Sequence, residues 1–452
     1  MFKGKIFTTI MTKFFNAAED AGVSGSWVGT FPLIYVRDPS IFHQIFVTNA
    51  DSITRVGPQR NGPFGILHRV AGDIAITADG DDWRRWRRSL LIDFYNHASL
   101  RESYEGIFDI AQRYVLRMLD GMTGPDLRKV LREYALDTVW YVAIGVDDAS
   151  SSSDQLLSPL PRFLNIVGNA THLYWHALRN CLRAKPFREP DAIESKLRHD
   201  IDDVIKEFLV KHFESPSEKK LGESRRSFLQ KISQESGGTK ENPFTDDVLS
   251  QARQVYTFGL EGSELILFWA IYQLSQHPEL VKRLRKELHG KASSSSNLTY
   301  DDICTIPFMD AVVTELLRLH PPVSTTARIV TKPIVIQTKT GEPVVLPQGT
   351  QILSSIRLLH YDTQVWGSDA SQFCPDRWLG QRRNAMENHC QYLPFLTGPR
   401  GCPCSGFVLL QLKVMLAVLL FDSDIILPQC GDLETNYGAI IEPTKDVRYE
   451  VK

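Results

Sequence analysis

The chain has 452 residues, 43% of them hydrophobic and 23% charged, with a formal net charge of −2. That length allows two or three domains or one large one, with apolar residues enough for a sizeable core, and so small a charge gives no case for nucleic-acid binding. Seven cysteines, scattered at 181, 304, 374, 390, 402, 404 and 430, do not make a secreted disulfide framework.

The start of the chain, Met1 to Ala21, alternates apolar residues with Lys3, Lys5, Lys13, Glu19 and Asp20, which predicts an amphipathic helix ending near Gly22. Ser26 to Phe31 and Leu33 to Val36 predict two strands joined at Pro32. Asp38-Pro39-Ser40 opens another helix with Ile41, Phe42, Ile45 and Phe46 on its apolar face. Residues 55 to 80 are rich in glycine and proline and read as a long loop.

Trp83 and Arg87 stand at i and i+4 of the next helix, an indole N–H beside a guanidinium, a donor pair suited to a buried carboxylate; the alternative is a solvated basic face. Helical periodicity continues to about residue 146, where Ser150 to Ser153 break it. A helix pair is expected over 155–185 and 190–213, its aromatic and apolar residues around Phe163, Leu173, Tyr174 and Trp175 lining a pocket or packing a core. Residues 214–242 are polar, apart from a short segment at Ser227 to Ile232, and are expected to be exposed.

A long unbroken helix is predicted from Phe244, capped by Thr245, to about Gln276. Within it, Gly259-Leu-Glu261-Gly262-Ser263-Glu264 sets two glycines and two carboxylates into an apolar surface, where a ligand can approach the backbone and an acid can relay protons. A shorter helix, Phe308 to His320, carries Glu315 and Arg318 at i and i+3. Strands follow at Ala327–Val330, Pro333–Gln337, Val344–Gly349 and Gln351–Leu353, and a meander passes Phe373 to Trp378.

The stretch Phe395-Leu-Thr-Gly398-Pro-Arg400-Gly-Cys402-Pro-Cys404 precedes an apolar helical pattern from Phe407 to Phe421. A cysteine just ahead of a helix N-terminus faces backbone N–H groups that favour a thiolate, which can ligate haem iron. Taken alone, a buried free cysteine in a turn is the simpler reading. Cys402 and Cys404 have no second pair or histidine cluster at zinc-ligand spacing.

Together these pieces resemble, in order and over essentially the whole chain, the cytochromes P-450. The cysteine stretch matches F-x-x-G-x-R-x-C-x-G as far as Cys402, Glu315-x-x-Arg318 matches E-x-x-R, Phe373-x-Pro-Asp-Arg377 matches F-x-P-E-R, and Trp83-x-x-x-Arg87 lies upstream. The resemblance implies a mainly α fold with small β-rich parts at about 26–56 and 326–360, forming one haem-thiolate catalytic domain over 1–452. It implies heme b (iron protoporphyrin IX) as cofactor, with Cys402 as the iron ligand. Trp83, Arg87, Arg328 and Arg400 are similar to the donors that bind haem propionates, with an ordinary surface arginine the alternative for Arg328, and Phe395 would pack near the thiolate. Glu315, Arg318 and Arg377 would form a buried ion cluster behind the haem.

Two positions depart from the family pattern. Where the family has A/G-G-x-D/E-T-T/S, this chain keeps the acid as Glu261 but has Gly262 in place of the threonine. Proton delivery would then use Glu261 with Ser263, with water above Gly262, or with a substrate hydroxyl. Cys404 stands where the family has glycine and supplies a second sulfur beside the proposed ligand.

The expected function is a monooxygenase of eukaryotic, fungal biosynthetic type. It would act on a lipophilic secondary metabolite, take electrons from an NADPH-cytochrome P-450 reductase and work as a monomer. A haem-thiolate isomerase, cyclase or coupling enzyme is the first alternative, favoured by Gly262, and a non-catalytic haem-binding protein the second. No N-terminal membrane anchor is expected ahead of the first helix, and no stretch reaches the roughly 18 uninterrupted apolar residues of a span. Phe2, Ile6, Phe7, Ile10 and Phe14 allow peripheral membrane contact. The location is expected to be the cytoplasm or the cytosolic face of the endoplasmic reticulum.

Overall fold

The computed structural model describes residues 2–28, 31–55, 65–89, 96–120, 126–149, 156–157, 159, 190–212, 228–239, 242–380, 386–387, 389–427, 433, 435–437, 441–443 and 447–451. Phe163, Leu173, Tyr174 and Trp175, most of the polar stretch over 214–242, and the side chains of Phe2, Ile6 and Phe7 lie outside them.

Helix α1 (Phe2–Ala17) lies on a five-stranded sheet through Met11, Phe15 and Ala18, all buried around Tyr35. Phe14 belongs to the same contact, stacked on Tyr35 at 6.3 Å between ring centroids. The sheet order is β1 (Val23–Val28), β2 (Phe31–Val36), β7 (Gln351–Ser355), β4 (Thr325–Val330) and β3 (Ile53–Thr54). The first hairpin pairs Val28 with Phe31, so Pro32 is not the join but lies inside β2 opposite Trp27. Proline is tolerated there because the parallel pairing with β7 begins only at Leu33, so no ladder bond needs its missing N–H. Strands β5 (Ile334–Gln337) and β6 (Pro343–Leu346) form a separate hairpin.

Two pairings position the site. Thr54 of β3 lies opposite Ile329 of β4, and Arg328 opposite Ile352 of β7, so segments from the first and last thirds of the chain meet on one sheet. The glycine- and proline-rich stretch expected as loop contains helix α2 (Gly65–Ala71), whose buried Leu67, Val70 and Ala71 join the main core.

The remaining described residues are largely helical. Helices α3 (Gly80–Ser89), α4 (Tyr104–Asp120), α5 (Leu127–Ile144) and α6 (Pro190–His212) precede a pair in the centre, α7 (Asp246–Gln254) and α8 (Leu260–Gln276). Then come α9 (Pro278–His289), α10 (Pro307–Leu319) and α11 (Ser405–Asp422). Between α7 and α8 the chain makes a π turn, Val255–Gly259, so the central helix runs on from Asp246 to Gln276 as expected but with a π turn inside it. Such turns insert one extra residue into the hydrogen-bond ladder and recur at functional sites.

Helix α11 is apolar around its whole circumference, with buried side chains from Phe407 through Phe421 on every face. Its length and composition would suffice to cross a membrane, but it is enclosed by α4, α8, α9 and α10. Its N-terminus carries Cys404 as the cap residue, which puts the cysteine turn at the end of a largely buried helix.

Candidate active site

The cysteine turn is built by local sterics. Gly398 adopts φ +69°, and a Cβ there would come within 2.7 Å of the Phe46 carbonyl oxygen, so only glycine fits. The Gly401 N–H donates to the Gly398 carbonyl at 3.0 Å, and the Cys402 N–H returns to the Phe395 carbonyl at 2.8 Å. Phe395 thus closes the turn with its backbone while its partly buried ring packs against the main core.

Cys402 Sγ lies 3.2 Å from Cys404 Sγ. The Cys404 thiol, then the Cys404 backbone N–H and the Arg87 and Arg55 guanidinia, draw Cys402 below the ordinary thiol range; burial pushes the other way. Cys404 is pushed up by that same thiol contact and by burial. Of the two sulfurs, Cys402 is the one the surroundings favour as thiolate.

Around it the fold gathers guanidinium groups from four separate segments. Arg87, on α3, donates through Nη1 to the Gly401 carbonyl. Arg400 donates to the Ala78 carbonyl at 2.8 Å and to Asp79 at 2.7 Å, and lies 4.1 Å above the Trp83 ring. Trp83 therefore acts in this protein as an aromatic platform for Arg400. Arg328, on β4, is buried; one terminal nitrogen reaches Thr326 and the Ala327 carbonyl, while its Nε is enclosed with no acceptor among the described residues. The alternative of an ordinary surface arginine is excluded by that burial.

Arg55, which the sequence reading passed over as the start of a loop, completes the group. Burial, and next to it the charge of Arg400, lower its guanidinium to about 10. Arg328 is driven well below its ordinary value by burial first, then by Arg55 and Arg400. Asp79, which also accepts from Thr54, is the carboxylate that acts on Arg55, Arg328 and Arg400.

Among the described residues, four guanidinia, Arg328 buried and the others partly so, face one aspartate and one thiolate, an excess of positive charge that is costly where it is buried unless an anion is bound. An orphaned Nε in that cluster is an unmade bond of the same sign. The residues fit a cofactor with carboxylates at its edge and a metal at its centre: Arg55, Arg87, Arg328 and Arg400 would hold the carboxylates, and Cys402 the metal.

The other candidate residues lie on the central helices. Ser263 donates its hydroxyl to the Gly259 carbonyl at 3.0 Å, so its proton is committed to the helix backbone at the π turn. An ideal Cβ at Gly262 would meet no atom within 4 Å, leaving open space beside the helix. Glu261 is buried. Glu264, the second carboxylate of the motif, is held by Arg128 at 2.6 Å and Arg132 at 2.9 Å on α5, with 1% of its side chain exposed; it ties the two helices together.

Glu315, itself fully buried with Arg318, is the hub of a separate network. Arg318 contacts both of its oxygens at 2.8 Å, and Arg377 Nε, Trp378 Nε1 and the Cys374 N–H add bonds of 2.9, 2.7 and 2.9 Å. Arg318 also caps the carbonyls of His360, Ala370 and Gln372, which pins the meander to α10.

A family model, "Cytochrome P450", matches residues 3–447. The chain belongs to the cytochrome P-450 family. Among its relatives is the cytochrome P-450 monooxygenase claP of Ampulloclitocybe clavipes, 25% identical over 450 residues, covering 91% of this chain and 82% of the relative. Cytochrome P-450 3A11 of Mus musculus is 24% identical over 409 residues, 88% of this chain and 77% of the relative. Secologanin synthase 2 of Catharanthus roseus is 34% identical over 201 residues, 44% of this chain and 37% of the relative. This cytochrome P-450 is thus an oxidoreductase with fungal monooxygenases among its relatives. Its mainly helical fold with small sheets is the family's, and the family's cofactor is haem.

Proposed function

We propose that this cytochrome P-450 is a haem-thiolate monooxygenase that inserts one oxygen atom from O2 into a C–H bond or alkene of a lipophilic secondary metabolite. An NADPH-cytochrome P-450 reductase supplies the electrons, at the cytosolic face of the endoplasmic reticulum or in the cytoplasm. The observation that carries the reading is the meeting of Cys402 with an undercompensated cluster of four guanidinia.

Heme b, when bound, supplies the iron centre at which O2 is activated. Cys402 offers its sulfur as ligand, and the adjoining helix terminus and arginines stabilise the negative charge on it. Arg55, Arg87, Arg328 and Arg400 orient the cofactor through its carboxylates. Trp83 supports Arg400 from beneath. Phe395 holds the turn and packs beside the ligand.

On the central helix, Glu261 would serve as proton source. The space beside Gly262 takes a water or a substrate hydroxyl that passes the proton on, in the role a threonine side chain fills elsewhere in the family. Ser263 keeps the π turn in shape through Gly259.

The test is turnover with purified reductase, NADPH and a candidate substrate under isotopically labelled O2. One labelled oxygen atom in the product is the expected result. A product formed without O2, or free of label, would overturn the monooxygenase reading in favour of isomerisation, cyclisation or coupling.

A further inference from the structure

The position two residues after the ligand cysteine is glycine in the family signature and Cys404 here. Its side chain does not turn away: Sγ lies 3.2 Å from Cys402 Sγ, within hydrogen-bond reach for sulfur. The thiol is held there from both ends. Its own residue caps α11, with the Val408 N–H donating to the Cys404 carbonyl at 3.0 Å, and its sulfur packs against the main core.

A sulfur bound to a metal ion is deprotonated and can only accept. If Cys402 is the ligand, the proton between the two sulfurs therefore belongs to Cys404, which makes Cys404 the donor. We propose that the Cys404 thiol donates a hydrogen bond to the Cys402 sulfur and so moderates how strongly that sulfur gives electron density to the haem iron. It is a positioning residue acting through the ligand. A family member with glycine here has only backbone donors at this place; this chain adds a side-chain donor. Hydrogen bonds to a ligand sulfur are a recognised means of setting the potential of an iron centre. The inference rests on the assignment of Cys402 as ligand.

The measurements are the ferric/ferrous reduction potential and the C–O stretching frequency of the carbon monoxide complex, in the haem-loaded full chain and in Cys404→Gly, Cys404→Ala and Cys404→Ser. Removing the donor makes the sulfur more electron-rich. In the glycine and alanine variants the one-electron reduction constant should fall by about tenfold, as for loss of one hydrogen bond to a charged group, or about 59 mV for one electron. The C–O stretch should fall with it, because more density reaches the antibonding orbitals of CO. Serine, which keeps a donor, should restore both values most of the way.

Unchanged potential and stretch in Cys404→Gly and Cys404→Ala would overturn the proposal, as would a serine variant shifted as far as alanine, which would reduce the contact to packing. Loss of the thiolate-type spectrum in the Cys404 variants would show Cys404 to be the ligand itself. Absence of that spectrum from the unsubstituted protein is a different failure, that of the Cys402 assignment.

Discussion

Replacing Glu315 by glutamine perturbs a point where five donors converge on one carboxylate of zero exposure. The change conserves shape and removes one charge. Arg318, also at zero exposure, would then keep its carbonyl contacts to His360, Ala370 and Gln372 but lose its counter-charge, and Arg377 would keep only Asp369. Breaking one buried pair by removing a single partner costs about 3–5 kcal/mol, and folded proteins have about 5–15 kcal/mol in total. Glu315→Gln should therefore lose roughly a fifth or more of the protein's stability and release haem readily. The assay is urea unfolding followed by far-ultraviolet circular dichroism and haem absorbance, with Arg84→Ala as control. Arg84 pairs with a fully exposed Asp81, and exposed pairs contribute little, so the control should unfold with the parent. A loss below about 1 kcal/mol for Glu315→Gln would refute the argument that this network is an unreplaceable buried charge cluster.

Arg328→Leu removes a buried cation whose Nε has no acceptor among the described residues, so the haem-free chain should hold or gain stability in thermal unfolding. The same variant should bind haem about tenfold or more weakly in titrations, by the worth of a charge-assisted bond. Gly262→Thr fills open space beside α8 and supplies the missing hydroxyl; it should lower peroxide leakage per NADPH consumed if proton delivery limits coupling, and unchanged leakage removes that argument. His360 is buried, donating from Nδ1 to the Arg318 carbonyl and accepting the Leu393 N–H at Nε2, and burial lowers it from 6.5 to about 3. Because the unfolded chain takes up this proton below about 6.5 and the folded one only below about 3, stability falls as pH drops through that window. In His360→Gln the unfolding midpoint should change less between pH 7 and pH 5 than in the parent.

What was legible in the sequence was short-range. The cysteine turn and Glu315-x-x-Arg318 are each set by residues within one turn of helix or loop, so spacing alone carries their geometry; Trp83 and Arg87 were legible as helix neighbours, but not that Trp83 lies under Arg400 and Arg87 reaches Gly401. Arg55 was not legible, because it reaches the site only when β3 pairs with β4, and no local pattern announces a contact between Thr54 and Ile329. The π turn at Val255–Gly259 was missed for a related reason: one inserted residue shifts the apolar face without interrupting it, and Gly259 was its single visible trace. The first hairpin was misplaced because Pro32 reads as a strand breaker until the start of the β7 pairing at Leu33 is known.

Which sulfur binds the iron is measured most directly by the spectrum of the reduced protein with carbon monoxide for Cys402→Ser and Cys404→Ser side by side. Loss of the thiolate-type band in Cys402→Ser and its retention in Cys404→Ser is the predicted result. Retention in Cys402→Ser with loss in Cys404→Ser would contradict it.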